Sequence, residues 1–471
     1  DAGRRSARRD AAGILRPLMR RYHVTTFGCQ MNVHDSERIK GLLESSGLGE
    51  APSLDDADVM VFNTCTIREK ADSKLVAHLM QARALKERDP SRQIVVGGCW
   101  SESLKDEIFE AYPFVDFAFG PGAIARLGAF VESGADVTGR GHFGTFDEFA
   151  GDLPMRRERP YQGWLQISMG CNSVCSYCIV PSVRGRERSR PWREVVDEAA
   201  RMAREGVVEL TLLGQNVNSY GRDLPVADRI TFAELLRRLD DVPGIDRIRY
   251  TSPHPKDMRA DVIAAMAECP SVCASLHLPL QSGSTRILKA MRRTYSRERY
   301  LALVARLREA MPHIALTTDI IVGFPGETED DFAETLAVCE EVGYDHAYTF
   351  IYSPRRGTEA ATPRRAVRVT VTSPTRWMTV SGCSCAATTR TSHSCAVPWQ
   401  RSPMTVSMPP GTGGKYLAAC TTRRRLMRPS GVRAAANRAP TCGGRPRHGP
   451  LRGRATPSRA RRAPTSSVTP S

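Results

Sequence analysis

The sequence feature that most constrains this chain is a short cysteine-rich loop near its middle. Cys171, Cys175 and Cys178 stand at C-x3-C-x2-C spacing in the run Gly170-Cys171-Asn172-Ser173-Val174-Cys175-Ser176-Tyr177-Cys178. A loop this short can place three thiolates at three corners of a cubane iron–sulfur cluster and leave the fourth iron open to a small molecule. The alternatives are zinc, which takes four ligands or three plus water, and unrelated structural cysteines. The spacing favours the open-cornered cluster.

Three further cysteines follow predicted strands in the first part of the chain. Apolar runs predict strands at 22–27, 59–63, 94–97 and 115–119, and the helices between them are typical of a parallel sheet. Cys29, Cys65 and Cys99 each lie just beyond the carboxyl end of one of the first three strands. Because such ends meet at one edge of a sheet, we expect the three thiols to form a second cluster site. Buried structural thiols are the alternative.

A second series of strands alternating with helices follows a predicted linker at 136–157. Strands are predicted at 164–169, 209–213, 247–251, 275–280, 316–322 and 347–352. Six strand–helix units are too few for a closed eight-stranded barrel and indicate a partial barrel, whose ligands bind at the carboxyl ends of the strands. Polar and glycine residues that follow these strands are the candidate cofactor-binding residues, namely Gln215, Asn216, Gln281, Ser282 and Gly323.

The positive charge of the chain is confined to its last part. The formal net charge is +16, yet residues 1–359 contain 47 basic and 51 acidic side chains, a net charge of −4. Residues 360–471 contain 20 Lys and Arg and no Asp or Glu, and they are rich in Pro, Ser, Thr and Ala. Such a composition buries too little apolar surface to offset chain entropy. We therefore expect residues 361–471 to form a disordered basic tail, and residues 1–20 a disordered extension.

Composition also bears on the cellular location. No apolar run approaches the roughly 20 residues needed to cross a bilayer, so we expect no membrane association. The Arg-rich opening lacks the apolar core of a secretory signal. Fourteen cysteines in a long, enzyme-like chain indicate metal ligation in a reducing compartment rather than a disulfide scaffold, which predicts a cytoplasmic protein.

These motifs together resemble the radical S-adenosylmethionine superfamily, and within it the methylthiotransferase branch. The resemblance covers roughly residues 22–360. Its upstream motifs are Thr26-Phe27-Gly28-Cys29-Gln30-Met31-Asn32, Asn63-Thr64-Cys65-Thr66-Ile67-Arg68-Glu69-Lys70 and Gly97-Gly98-Cys99. Its downstream motifs are 170–181, Arg184-Gly185-Arg186-Glu187, Leu213-Gly214-Gln215-Asn216-Val217 and 319–328. The residues around Cys29 and Cys65 are similar to those of members that modify isopentenyl-adenosine in tRNA, rather than of members that modify a ribosomal protein.

The resemblance implies an activity and its cofactors. The expected reaction is methylthiolation of carbon 2 of N(6)-isopentenyladenosine at position 37, in the anticodon loop of tRNA. It would use two S-adenosylmethionine molecules and two 4Fe-4S clusters, one on each cysteine set, with the second set binding S-adenosylmethionine. Members acting on threonylcarbamoyl-adenosine are the rival. An electron donor such as flavodoxin or ferredoxin and a monomeric state are also expected, and Arg184 and Arg186 are candidate phosphate contacts.

The resemblance also implies a domain organisation, from which the chain departs at its end. It implies a flavodoxin-like amino-terminal domain over 21–135 and a (β/α)6 radical S-adenosylmethionine barrel over 158–360. Family members normally end in a small RNA-binding β-barrel, the TRAM domain, and nothing in 361–471 resembles one. Because similarity stops where the acidic residues stop, we expect this tail to be the product of a shifted reading frame. A cluster-binding but catalytically disabled protein is therefore the contrasting hypothesis.

Overall fold

The computed structural model describes residues 19–66, 69–133, 139–144, 149, 151 and 153–362. The predicted disorder of the extension and of the tail, the predicted frameshift and the predicted absence of a TRAM domain concern residues that, apart from 19, 20, 361 and 362, lie outside these ranges. Within them the chain builds an amino-terminal sheet followed by a partial barrel. The predicted α/β class is confirmed. None of the described helices is long and apolar enough to span a bilayer.

The amino-terminal domain is a six-stranded sheet in which every neighbouring pair is parallel. The strand order is β2-β1-β3-β4-β5-β6, the flavodoxin-like order extended by one short strand. Its strands are β1 (Arg21–Phe27), β2 (Gly49–Glu50), β3 (Val59–Thr64), β4 (Gln93–Gly98), β5 (Phe117–Phe119) and β6 (Gly141–His142). Its helices are α1 (Gln30–Ser45), α2 (Glu69–Arg88), α3 (Cys99–Leu104), α4 (Glu107–Ala111) and α5 (Arg126–Ser133).

Strand β3 shows why this part of the sequence reads as continuous apolar runs. Met60 and Phe62 pack into a core that includes buried residues of α2. Val59 and Val61, pointing to the other face, pack into a core that includes buried residues of α1 and α5. A strand covered on both faces needs apolar side chains at every position, and each fully buried one contributes about 1.5–3 kcal/mol.

Three features of this domain differ from the sequence-based expectation. Helix α1 begins at Gln30, directly after Cys29, rather than near Asp35. The two-residue strands β2 and β6 were not predicted, because two residues are too short to show a hydrophobic period. Strand β6 lies inside the predicted linker and pairs with β5, so the linker contains an edge strand of the amino-terminal sheet.

The second domain is a partial barrel of six parallel strands in two groups of three, ordered β11-β10-β7 and β12-β13-β14. Ile248 joins the groups, because its N–H donates to Ser271 and its carbonyl accepts from Cys273. The strands are β7 (Gln162–Gln166), β10 (Glu209–Leu213), β11 (Arg247–Tyr250), β12 (Ser275–His277), β13 (Ala315–Val322) and β14 (His346–Ile351). A short antiparallel pair, β8 (Ser168–Met169) and β9 (Arg188–Ser189), closes the first strand–loop unit.

Seven helices of the described barrel residues connect these strands. They are α6 (Val180–Arg184), α7 (Trp192–Arg204), α8 (Phe232–Asp240), α9 (Ala260–Glu268), α10 (Thr285–Ala290), α11 (Arg297–Ala310) and α12 (Glu329–Val342). Helix α8 starts at a capping box of Thr231 and Glu234, and α12 starts at one of Thr328 and Asp331. These caps satisfy N–H groups that a helix start leaves open. They fix where each helix leaves the rim of the barrel.

Candidate metal centres

The loop of Cys171, Cys175 and Cys178 lies at the carboxyl end of the first barrel strand, directly after β8. Ser176 anchors the loop to the carboxyl end of α10. Its backbone N–H donates to the carbonyl of Met291, and its hydroxyl donates to the carbonyl of Ala290. Gly170, with φ +79°, begins the loop, and a Cβ there would lie 2.1 Å from the carbonyl oxygen of Arg186. Only glycine allows this close crossing of backbones.

The three thiols face a cavity of about 680 Å³. Besides the loop itself, the cavity is lined by Pro181, Arg186, Glu187, Arg292, Gly357, Thr358 and Glu359. Arg292 donates to Glu359 at 2.6 Å, and the N–H of Ala360 donates to the carbonyl of Ser176 at 2.9 Å. The last described residues of the chain therefore close one side of the thiol-lined cavity.

The surroundings of these thiols are partly apolar and contain one buried cation. Burial raises the pKa of Cys178 to about 12, so the thiol would ionise only with a compensating positive group. Arg293 supplies part of that charge, because its Nη1 lies 3.5 Å from the sulfur of Cys175. A set of three thiols beside a cavity and a buried cation fits the ligand set of an iron–sulfur cluster.

Besides Ser173 Oγ in the loop itself, four buried polar atoms at the neighbouring strand ends have no hydrogen-bond partner among the described residues. They are Gln166 Oε1, Ser168 Oγ, Gln215 Nε2 and Asn216 Oδ1. All four lie at the carboxyl ends of β7 and β10 or just beyond them, and Gln215 also accepts a hydrogen bond from the N–H of Gly170. An unpaired buried polar atom costs about 1–3 kcal/mol. The cluster of such atoms therefore marks a place for a polar ligand, and it adds Gln166 and Ser168, which the sequence reasoning missed.

The other candidate cofactor-binding residues are placed less favourably. Asn216 uses its Nδ2 to donate to Asp257 at 2.8 Å. Ser282 is fully buried. Its hydroxyl accepts from the N–H of Ser284 and lies within hydrogen-bond distance of the Thr335 hydroxyl, so both partners are within the protein. Gln281 adopts a left-handed backbone with φ +68° and bridges to β13, while the N–H of Gly323 donates to Glu327. None of the five lines the thiol cavity itself.

The amino-terminal cysteines lie at one edge of the first sheet. Cys29 follows β1 and caps α1, Cys65 follows β3, and Cys99 starts α3 after β4. These three strands are neighbours in the sheet, which brings the thiols together. A hydrogen bond from Cys65 and the charge of Arg184 hold the pKa of Cys29 below its usual range. Burial raises the pKa of Cys99, although Arg184 lies beside it.

A buried amide network holds this site and explains the asparagines of the motifs. Asn32 accepts from the backbone N–H of Cys29 at 3.3 Å and donates through Nδ2 to Asn63 Oδ1 at 3.3 Å. Asn63 in turn donates to the carbonyl of Asn32 and to the hydroxyl of Ser36. The network ties α1 to the end of β3, so the cysteine-bearing turns are held against each other.

Arg184 corrects one sequence-based expectation. It was predicted as a phosphate contact, but its side chain is only 4% exposed and lies against the amino-terminal cysteines. Its Nε donates to Cys99 Sγ at 3.2 Å and its Nη2 donates to Asp35 Oδ2 at 3.0 Å. A guanidinium buried in this way cannot reach RNA. Arg186 is exposed and lines the thiol cavity, where it remains available to an anionic ligand.

Neither cysteine set has the compact geometry of a mononuclear metal site. No group of three or more His, Cys, Asp or Glu side chains in the described ranges converges closely enough to hold one metal ion. In a cubane cluster each thiolate binds a different iron, so the thiols of such a site need not converge on one ion.

Two family models match the chain. The model of the Radical SAM superfamily matches residues 165–339, which include most of the barrel and its cysteine loop. The model described as Uncharacterized protein family UPF0004 matches residues 21–120, which include five strands of the first sheet and its three cysteines. Together the two matches account for both cysteine sets.

Curated relatives match about three quarters of the chain. The tRNA-2-methylthio-N(6)-dimethylallyladenosine synthase of Salinispora arenicola (strain CNS-205) is 52% identical over 349 residues, which are 73% of this chain and 68% of the relative. The protein of the same name from Thermobifida fusca (strain YX) is 50% identical over 74% of this chain and 72% of its own. The protein of the same name from Corynebacterium urealyticum is 50% identical over 74% of this chain and 65% of its own. The match thus spans about two thirds of each relative.

Solved structures share the fold at low identity. The radical S-adenosylmethionine methyltransferase TsrM from Kitasatospora setae, with tryptophan and the analogue aza-SAM bound, gives a TM-score of 0.52 at 15% identity and covers 73% of this chain and 75% of its own. The same enzyme with cobalamin and a [4Fe-4S] cluster bound gives a TM-score of 0.53 at 15% identity and covers 73% of this chain and 74% of its own. At this identity the likeness concerns the fold alone.

Proposed function

The chain belongs to the tRNA-2-methylthio-N(6)-dimethylallyladenosine synthase family of the radical S-adenosylmethionine superfamily, and we propose that it methylthiolates carbon 2 of N(6)-isopentenyladenosine at position 37 of tRNA. The observation that carries the proposal is 52% identity to a synthase of this name over 349 residues. The two family-model matches together contain all six motif cysteines. The names of these relatives favour the isopentenylated base over threonylcarbamoyl-adenosine.

We propose that Cys171, Cys175 and Cys178 hold a 4Fe-4S cluster that binds S-adenosylmethionine, and that Cys29, Cys65 and Cys99 hold a second one. When bound, these groups supply the radical chemistry that breaks a C–H bond without useful acidity, together with the sulfur to be transferred. The fit rests on the thiol-lined cavity and on the cationic side chains that reach Cys175 and Cys99. The count of two clusters follows from two separate cysteine sets.

The residues of the chain would bind and orient the reactants. The unpaired atoms of Gln166, Ser168, Gln215 and Asn216 suit the polar groups of S-adenosylmethionine, whereas the buried side chain of Ser282 is engaged elsewhere. The backbone of Gln281 and Gly323 at the strand ends belongs to the same rim. Arg186 and Arg292 at the cavity suit the phosphates of an unstacked loop nucleotide. The closed side formed by 357–360 would keep bulk water from the reacting atoms.

The remaining expectations stand as proposals about the whole protein. We propose an amino-terminal domain over 21–135, a linker over 136–157, a barrel over 158–360 and a tail from 361. We also propose a flavodoxin or ferredoxin as electron donor, a monomeric state and a cytoplasmic location. A reducing compartment suits the nine cysteines of the described residues, which form no disulfide that the structure records.

A reconstitution assay tests the function. Purified protein loaded with iron and sulfide is given reductant, S-adenosylmethionine and an anticodon stem-loop carrying either isopentenyl-adenosine or threonylcarbamoyl-adenosine. We expect the methylthio nucleoside from the first stem-loop only, by mass spectrometry, and none from the Cys175→Ser variant. Release of 5′-deoxyadenosine without modified RNA would favour the disabled protein, and product from the second stem-loop alone would favour the rival substrate.

A further inference from the structure

The short helix α6 lies between the two cysteine sets. It begins two residues after Cys178 and ends at Arg184, whose side chain touches Cys99. Ile179 and Val183, at the start and on the buried face of this segment, pack against Cys99 as a small apolar cluster. One rigid turn of helix therefore carries the backbone from the barrel loop into the amino-terminal site.

Arg184 is held in that site by a carboxylate of the other domain. Its Nη2 donates to Asp35 Oδ2 at 3.0 Å, and both side chains are at most 5% exposed. His34 lies on the far side of Asp35, with its Nδ1 3.3 Å from Oδ1. The Nε–H of the same guanidinium donates to Cys99 Sγ at 3.2 Å. Arg184 thus bridges a carboxylate and a thiol through two different nitrogens.

The positive charge of Arg184 beside Cys99 would act on a cluster bound at this site. A 4Fe-4S cluster on thiolates is an anionic group, and its reduction adds one more negative charge at a buried place. Hydrogen bonds to the sulfurs and nearby net charge are the protein's means of setting the reduction potential of such a cluster. Burying a guanidinium costs free energy unless the group is paired, so the burial of Arg184 depends on its pairing with Asp35. The pair of Arg184 and Asp35 presents its positive end to the sulfur.

We propose that Arg184 is a positioning residue of the amino-terminal cluster: held by Asp35, it donates a hydrogen bond to Cys99, orients that ligand and raises the reduction potential of the cluster. The proposal rests on the proposed function, in which Cys29, Cys65 and Cys99 hold a cluster. It assigns to Arg184 a role in the amino-terminal site, although the residue belongs to the barrel domain. It also explains why this arginine is buried while Arg186, two residues on, is exposed.

The test uses the full chain with the other cluster removed by Cys171→Ala, Cys175→Ala and Cys178→Ala. In this background we expect about four irons per chain, and a potentiometric titration followed by EPR gives the potential of the remaining cluster. Arg184→Lys, which loses the planar fork, is expected to shift the potential in the negative direction. Asp35→Asn, which removes the opposing negative charge, is expected to shift it in the positive direction.

A matched control and the contrary outcomes complete the design. Arg193 pairs with Asp228 at 2.7 Å on the surface, so Arg193→Lys is expected to leave the potential unchanged. Unchanged potentials in both Arg184→Lys and Asp35→Asn, or loss of folding in both by circular dichroism, would show a purely structural pair and overturn the proposal. Absence of iron in the background variant itself would overturn the proposed amino-terminal cluster, which distinguishes that failure from a failure of the arginine's role.

Discussion

Gly28 is the residue at which the amino-terminal site is most tightly packed. Its backbone adopts φ +147°, and a Cβ at this position would lie 2.3 Å from Asn32 Oδ1 and 2.7 Å from Cys65 Cβ. Real Cβ atoms do not approach other atoms so closely, so an added methyl must displace either the amide network or Cys65. The turn that presents Cys29 therefore depends on the absence of a side chain here.

Gly28→Ala is expected to destabilise the protein more than a matched glycine change. Gly47 also has a positive φ, +79°, but an added Cβ there meets no atom within 4 Å, so Gly47→Ala carries only the backbone strain of about 1–2 kcal/mol. Gly28→Ala adds overpacking of a further 1–3 kcal/mol or so. Denaturant unfolding of both variants measures the difference, and iron content should fall only for Gly28→Ala. Equal stability losses would show that the site has room to relax.

At this scale the sequence predicted that three cysteines lie at one edge of the first sheet, but it did not predict the burial of Arg184. Cysteine positions followed from the strand ends, because parallel topology brings those ends together. Arg184, predicted as a phosphate contact, is instead buried against Asp35, which lies 149 residues earlier in the chain. Pairing between residues so far apart in sequence leaves no local pattern, so burial of a charged side chain was not predictable.

Among the elements, the turn after β13 links the barrel rim to the cysteine loop. Phe324 in this turn packs edge-on against Tyr177 of the loop, with ring centroids 6.3 Å apart. The carboxylate of Glu327 accepts hydrogen bonds from the backbone N–H groups of Gly323 and Phe324. Burial nevertheless raises the pKa of Glu327 to about 7 from its ordinary 4.5. The turn therefore contains a carboxyl group that resists ionisation.

This pKa predicts a pH dependence of stability that Glu327→Gln removes. Because the folded-state pKa is raised, the contribution of the protonated carboxyl is fully present below pH 4.5 and is lost as pH rises to about 7. Relative to Glu327→Gln, the parent protein should lose up to about 3 kcal/mol of unfolding free energy over that window. Denaturant titrations at several pH values measure it. A difference that stays constant with pH would contradict the raised pKa, and Glu340→Gln, at an exposed position, is the control variant.

The long elements of the fold were predictable and the short ones were not. The six barrel strands and the strands β1, β3 and β4 were predicted within a few residues, since long apolar runs carry a strong signal. Strands β2, β6 and β9 and helix α6 span only 2, 2, 2 and 5 residues and are fixed by tertiary pairing. Helix α6 is the element that brings Arg184 to Cys99, so this contact between the barrel and the amino-terminal cysteines was not predictable from the sequence.

At the scale of the whole molecule, a buried charge triad joins the amino-terminal domain to the barrel. Glu198 of α7 accepts from Arg38 of α1 and, at 2.6 Å, from Arg190 Nη1. Glu198 is 2% exposed, and Arg190 also donates to the carbonyl of Gln166 in β7. One carboxylate thus satisfies cations from both domains, and removing its charge would leave two buried guanidinium groups without an anion.

Glu198→Gln is expected to destabilise the protein by about 3–5 kcal/mol, because breaking a buried ion pair leaves an uncompensated charge. Glu205 makes a comparable pair with Arg157 at 2.6 Å but is 47% exposed, so Glu205→Gln should cost less than about 1 kcal/mol. Thermal unfolding of the two variants measures the contrast. Similar melting temperatures for both would contradict the view that this triad holds the two domains together.

The proposed methylthiolation of isopentenyl-adenosine in tRNA can be tested in cells. Nucleoside mass spectrometry is applied to bulk tRNA from a bacterial strain that lacks its own methylthiolating enzyme and expresses this chain. We expect 2-methylthio-N(6)-isopentenyladenosine in that tRNA, and only N(6)-isopentenyladenosine when Cys175→Ser or an empty vector is used. Unmodified N(6)-isopentenyladenosine in the presence of the expressed, iron-loaded parent chain would contradict the proposal.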